Sequence, residues 1–151
     1  MLDRFERFSF AVFEISRCWH KIASDVMSGY GLKGPYAIYL VVLRRFHDGV
    51  TAARLCELCM RDKADVSRAV AAMEKEGLIC REGNGAYRAV LKLTESGRNV
   101  ANQVAELAER AVARAGGELD PMQLLQFYRT LGTITTNLQA LSKEGFSQED
   151  N

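Results

Sequence analysis

Residues 62–79 read DKADVSRAVAAMEKEGLI, and the reading of this stretch decides the fold. Val66, Ala69, Val70 and Met73 recur at spacings of three and four, which predicts a helix with one apolar stripe. Asp62 stands where an N-cap is expected, and Asp65 three residues on makes a weaker variant of the capping box. Gly77 stands at the position of a C′ glycine, so Leu78 is expected to fold back onto the core. With Val66, Val70 and Met73 inward, the outward positions are Ala64, Ser67, Arg68, Ala71, Ala72 and Lys75. A helix that meets only water usually carries Glu and Lys on such positions. This face is small and flat, which suits close approach to another molecule. A plain surface helix built from good helix formers is the competing reading.

Downstream, LICREGNGAYRAVLKLT holds two β-prone runs, 78–82 and 86–93, around Asn84-Gly85, a hairpin turn signal. Upstream, residues 35–46 read as a mostly buried helix and HDGVT at 47–51 as a turn. Thr51 then caps a short helix that runs to Met60, and MRDK turns the chain tightly into the quoted stretch. Two short helices, a tight turn and a hairpin spell a winged helix-turn-helix over 35–93. The fold class expected is mainly α with a small β-hairpin wing, carried between N- and C-terminal dimerisation helices. In that geometry small residues such as Ala64 let the helix seat in a DNA major groove about 12 Å wide. Ser67 and Arg68 reach base edges, while Lys63 and Lys75 lie near phosphates. Arg81 and Arg88 flank the wing tip, where they meet backbone or minor groove; each reads equally as a solvated strand arginine.

The flanks are helical. Phe5, Phe8, Val12, Ile15, Trp19, Ile22 and Val26 give residues 3–27 an apolar stripe that SGYGLKGPY at 28–36 stops. Thr94 caps a fifth helix ending at Gly116-Gly117, and Asp120 with Pro121 opens a sixth striped by Leu124, Tyr128, Leu131, Ile134, Leu138 and Leu141. Residues 1–34 and 94–145 are expected to form a dimerisation region, and 146–151 a disordered tail. Within 151 residues these long apolar helices have no other partner, and an open apolar face of that size calls for a second copy. A two-fold dimer covers them and sets two reading helices about one DNA turn apart.

Composition narrows the function. Hydrophobic content of 48% with 26% charge is that of a globular chain, and the longest apolar run, YAIYLVVL at 36–43, is too short to cross a bilayer. MLDRFERF is not a secretory signal, so a cytoplasmic protein with no membrane partner is expected. A net charge of +1 argues against coating nucleic acid by charge alone. Residues 61–98 nevertheless hold eight Lys/Arg against six Asp/Glu, while 99–151 hold four against seven, which suits a localised footprint. Cys56 and Cys59 form a CxxC read as core packing, with redox or zinc chemistry as alternatives. With two histidines and no Ser/His/Asp set, phosphate loop or paired-His motif, neither an enzyme nor a cofactor or metal is expected. Trp19, His20, Tyr30, Tyr36 and Tyr39 gather near the junction of the first two helices. They read either as core or as the wall of a site for a small aromatic ligand.

The run DKADVSRAVAAMEKEGLI, a hairpin, and LTESG opening a long helix together resemble a MarR-type transcriptional regulator, over nearly the whole chain. The resemblance implies a homodimer in which the first, fifth and sixth helices intertwine. It also implies two lobes that read a pseudopalindromic operator in double-stranded DNA, often under control of a small aromatic effector. It places Lys63, Ala64, Ser67 and Arg68 on the base- and phosphate-contacting stretch. One branch of the family senses hydroperoxides through a first-helix cysteine, a role that would fall to Cys18. The wing departs from the family pattern: where an Asp-x-Arg is common, this chain has Gly85, Ala86 and Tyr87, with Arg88 displaced by one place. On a strand that displacement turns the side chain to the other face. An adaptor that uses the winged fold to bind proteins is the rival, and it would lack the salt dependence of phosphate contacts.

Overall fold

The computed structural model describes residues 3–83 and 89–145. In chain order the elements are α1 (Arg4–Met27), two 3-10 turns (Ser28–Tyr30 and Gly34–Tyr36), α2 (Ala37–Arg44), β1 (Val50–Thr51), α3 (Ala52–Cys59), α4 (Lys63–Lys75), β2 (Ile79–Glu82), β3 (Val90–Leu93), α5 (Glu95–Ala115) and α6 (Pro121–Glu144). The expected class holds: a mostly helical chain with a small antiparallel sheet. By packing the chain divides into two compact units, Met1–Glu109 and Arg110–Asn151.

The first unit has one apolar core. Leu40 and Leu43 from α2, Leu55 from α3, Val66, Val70 and Met73 from α4, Leu91 from β3 and Val100 and Val104 from α5 are all buried within it. The sheet order is β1-β3-β2, every pair antiparallel, with Arg81 opposite Leu91 and Thr51 opposite Val90. Two strands and a turn at 47–51 are what the sequence predicts; Val50–Thr51 instead adds a third, edge strand. Two residues carry no periodicity, so nothing local marks them as a strand. The hairpin tip Asn84-Gly85 lies outside the described residues, as does the 146–151 tail.

Three caps fall where the sequence places them. Thr51 Oγ1 accepts the Arg54 N–H at 3.2 Å, Asp62 Oδ1 accepts the Asp65 N–H at 2.7 Å, and Asp120 Oδ1 accepts from Met122 and Gln123. Helix α4 ends in a Schellman motif: the Gly77 N–H donates to Glu74 O and the Leu78 N–H to Met73 O, with Gly77 at φ +69°. Helix α3 ends in the same pattern, with Met60 at φ +49° in the left-handed position and the Arg61 N–H donating to Cys56 O.

The LTESG motif has a physical explanation. Thr94 Oγ1 donates to Gly77 O at 2.7 Å and accepts the Gly97 N–H at 3.0 Å, so one hydroxyl caps α5 and ties it to the end of α4. Gly97 sits against the backbone of Leu78, and a Cβ there would overlap the Leu78 carbonyl. That contact sets the close approach of α5 to the strand entry.

Two helices carry apolar faces that stay open in the single chain. On α1, Phe8, Phe10, Val12, Phe13 and Ile15 are exposed. In the second unit α6 buries no residue, and Leu125, Phe127, Tyr128, Leu131 and Leu138 are exposed. Among the described residues no helix is long and apolar enough to cross a membrane.

Candidate nucleic-acid interface

Helix α4 has the orientation that its sequence predicts. Val66, Ala69, Val70 and Met73 are at most 1% exposed, while Lys63, Ala64, Ser67, Arg68, Ala71 and Lys75 face solvent. Ala72 is the exception: it is half-buried and packs against the core, because it lies on the flank of the stripe formed by Ala69 and Met73. The solvent face is therefore one strip of short side chains. Lys63 stands at its N-terminal end, Lys75 at its C-terminal end, and Ser67 and Arg68 lie between them.

The first turn of α4 is acidic. The Asp62 carboxylate caps the helix, and Asp65 stands one turn in, favourable places for negative charge at a helix N-terminus. Asp65 does not complete a capping box. One of its oxygens, Oδ2, accepts from the Tyr39 hydroxyl at 2.9 Å, and the other, Oδ1, lies 3.8 Å from Arg68 Nη2. Burial, and then the bond to Asp65, raises the Tyr39 phenol well above its ordinary range, so it stays a donor.

The wing meets the same helix through an ion pair. Arg81 on β2 donates through Nε and Nη2 to both carboxylate oxygens of Glu74, at 2.7 and 3.2 Å. This bidentate pair links the C-terminal half of α4 to the wing strand and fixes the Arg81 guanidinium. On the same sheet Lys92 Nζ donates to Glu82 at 2.6 Å. Arg88 lies outside the described residues. Glu74 was not singled out from the sequence, and Tyr39 was expected at a ligand wall or in the core; their partners Arg81 and Asp65 lie seven and 26 residues away.

The ligand residues divide. A cavity of about 180 Å³ is lined by Trp19, His20 and Ala23 of α1, by Gly34, Pro35, Ala37 and Ile38, and by Cys59 and Arg61 at the turn between α3 and α4. Trp19 and His20 thus reach it, whereas Tyr30, Tyr36 and Tyr39 are not among its lining residues. The Tyr30 hydroxyl donates to Gln103 at 3.3 Å, and the Tyr36 and Tyr39 rings are buried 6.3 Å apart. Arg61, not among the residues expected there, brings a permanent positive charge to the lining. Burial pushes the Cys59 thiol up to about 11, with Arg61 opposing that shift. Cys18 is exposed on α1, and all four cysteines are free thiols. Among the described residues no group of three or more His, Cys, Asp or Glu could hold a metal ion.

The MarR family model matches residues 30–86. No curated protein sequence matches the chain. Among solved structures, a MarR transcriptional regulator from Methanosarcina mazei Go1 is similar with a TM-score of 0.80 at 20% identity, covering 93% of this chain and 94% of that one. A MarR family regulator from Listeria monocytogenes, complexed with a 26mer DNA, has a TM-score of 0.77 at 22% identity and covers 98% and 99% of the two chains. CouR from Rhodococcus jostii RHA1, bound to p-coumaroyl-CoA, has a TM-score of 0.73 at 18% identity over 89% and 95%. At these identities the likeness is one of fold.

Proposed function

We propose that this chain, whose winged lobe belongs to the MarR family, is a sequence-specific regulator of transcription that inserts α4 into the major groove of double-stranded DNA. The observation that carries this reading is the polarity of α4. Its valines and methionine are buried, and its strip of alanines with Ser67 and Arg68 faces solvent. Short side chains let the helix approach base edges closely, and a guanidinium at mid-helix suits guanine O6 and N7. Lys63 and Lys75 flank the strip as phosphate contacts, and Arg81, oriented by Glu74, extends them toward the wing. The similar Listeria regulator was solved on DNA, which supports the reading.

The test is a selection of bound duplexes from a random pool at fixed salt, followed by fluorescence anisotropy on the selected site. Arg68→Ala is expected to cost about 1–3 kcal/mol there and to relax preference at the base pair it reads. An unaltered affinity would remove α4 from the interface. Affinity is also expected to fall steeply with salt; a flat response favours the protein-binding adaptor.

The working form on this reading is a homodimer that places two α4 helices on a pseudopalindromic site, with 1–34 and 94–145 as the dimerisation region and 35–93 as the reading lobe. The open apolar faces of α1 and α6 support it, since the largest apolar patch on a monomer is usually an interaction site.

The cavity fits a small effector. Its volume is below the roughly 300–1,000 Å³ of drug-sized sites, so it suits one substituted aromatic ring rather than a coenzyme A ester of the kind bound to CouR. Trp19 and His20 supply stacking and a hydrogen bond, and Arg61 supplies a cation for a carboxylate. Because Arg61 immediately precedes the Asp62 cap, occupancy bears on the start of α4. Titration of benzoate-sized acids against operator release tests this.

A further inference from the structure

We infer that Tyr39 and Asp65 are positioning residues for base reading by Arg68, an inference that rests on the DNA-reading role of α4 proposed above. Tyr39 belongs to α2 and is 1% exposed, so its ring cannot shift without disturbing the core. Its hydroxyl donates to Asp65 Oδ2 at 2.9 Å across 26 residues of sequence. That bond fixes the Asp65 carboxylate, whose rotation is further limited by its place one turn inside α4. The remaining oxygen, Oδ1, faces Arg68 Nη2 at 3.8 Å. A guanidinium has five donors in a rigid fork, so one edge turned to Asp65 leaves another for a base. Arg68 is two-thirds exposed and Asp65 about one-third. The pair is therefore weak as a stability device in free protein. Its geometry serves aim: a buried hydroxyl holds a carboxylate, and the carboxylate sets the sweep of the one long side chain at the centre of the reading strip.

The charges make the inference distinct from ordinary scaffolding. Asp65 places a negative charge on a face meant for a polyanion, which costs affinity for any duplex. An asparagine at 65 would accept the same hydrogen bond from Tyr39, so the charge bears on the helix N-terminus and on Arg68 rather than on the contact between α2 and α4.

Four variants of the full chain separate the possibilities (Tyr39→Phe, Asp65→Asn, Arg68→Ala and Arg68→Ala with Tyr39→Phe), each measured on the selected duplex, on single-base-pair variants of it and on random duplex at fixed salt. Tyr39→Phe removes one oxygen and leaves all charges; it is expected to lower discrimination at the Arg68 base pair about fivefold, the order of one net hydrogen bond, with random-duplex affinity unchanged. Asp65→Asn is expected to lower the same discrimination while raising random-duplex affinity, two effects of opposite sign that a folding defect cannot produce. In an Arg68→Ala background, Tyr39→Phe is expected to add nothing. If Arg68→Ala leaves discrimination intact, the reading of α4 fails and the inference falls with it. If Arg68→Ala relaxes discrimination but Tyr39→Phe and Asp65→Asn do not, α4 still reads DNA and the positioning role alone is overturned.

Discussion

Gly97 shows how much can rest on one missing carbon. The first turn of α5 lies on the Leu78 carbonyl, where any Cβ would collide with backbone rather than with a flexible side chain. Gly97→Ala is expected to destabilise the first unit by about 2–3 kcal/mol, seen as a lower denaturation midpoint at unchanged m-value. The glycine is legible in the sequence as part of LTESG, but the reason for it is not, since Leu78 is nineteen positions earlier (97 − 78). Cys59 gives a second prediction at this scale. With its thiol raised by burial to about 11 from an ordinary 9, the folded protein holds the proton that the unfolded chain has already lost between those values. Stability from this group is thus full below pH 9 and falls as pH rises toward 11. Alkylation of Cys59 in native protein should be slow at pH 8, when its thiolate fraction is about one in a thousand, and should quicken with pH or denaturant. Rapid labelling of Cys59 at neutral pH would show that α3 opens readily.

Elements were easier to read than their connections. Caps at Thr51, Asp62 and Asp120 are local signals, each a side chain within three residues of the backbone it serves, and the stop at Gly77 is local too, set by a residue with no Cβ at positive φ. The stripe of α4 is likewise local, and it misplaced only Ala72, where the flank of a helix is neither in nor out. Long-range pairs left no such mark. Tyr39 reads in isolation as another aromatic near a glycine-rich turn, and only the fold brings its hydroxyl to Asp65. Strand β1 is set by β3 alone. The Glu74–Arg81 brace belongs to the same class, and it gives a prediction: Glu74→Gln is expected to speed amide exchange in β2 while costing no more than about 1 kcal/mol of global stability. Unchanged exchange at Arg81 and Glu82 would show that pairing with β3 is sufficient to hold the wing strand.

For the whole molecule, the open faces of α1 and α6 make oligomeric state the decisive quantity. Ile15, 66% exposed in the single chain, closes the open α1 face at its C-terminal end. Ile15→Asp is expected to convert a dimer to monomer in light-scattering chromatography and to weaken operator binding far more than binding by a single lobe. A variant that stays dimeric would take this part of α1 out of the interface. The acidic start of α4 has one more consequence. On the DNA-reading role proposed for α4, a net charge of only +1 and two carboxylates beside Lys63 at the helix start would leave little gain from non-specific contact with DNA. On that proposed role, wrong stretches would be abandoned quickly, and scanning would proceed by brief visits rather than by long slides. Fidelity would then be obtained in the search itself, and cells holding few copies would answer slowly but with little titration onto the bulk genome.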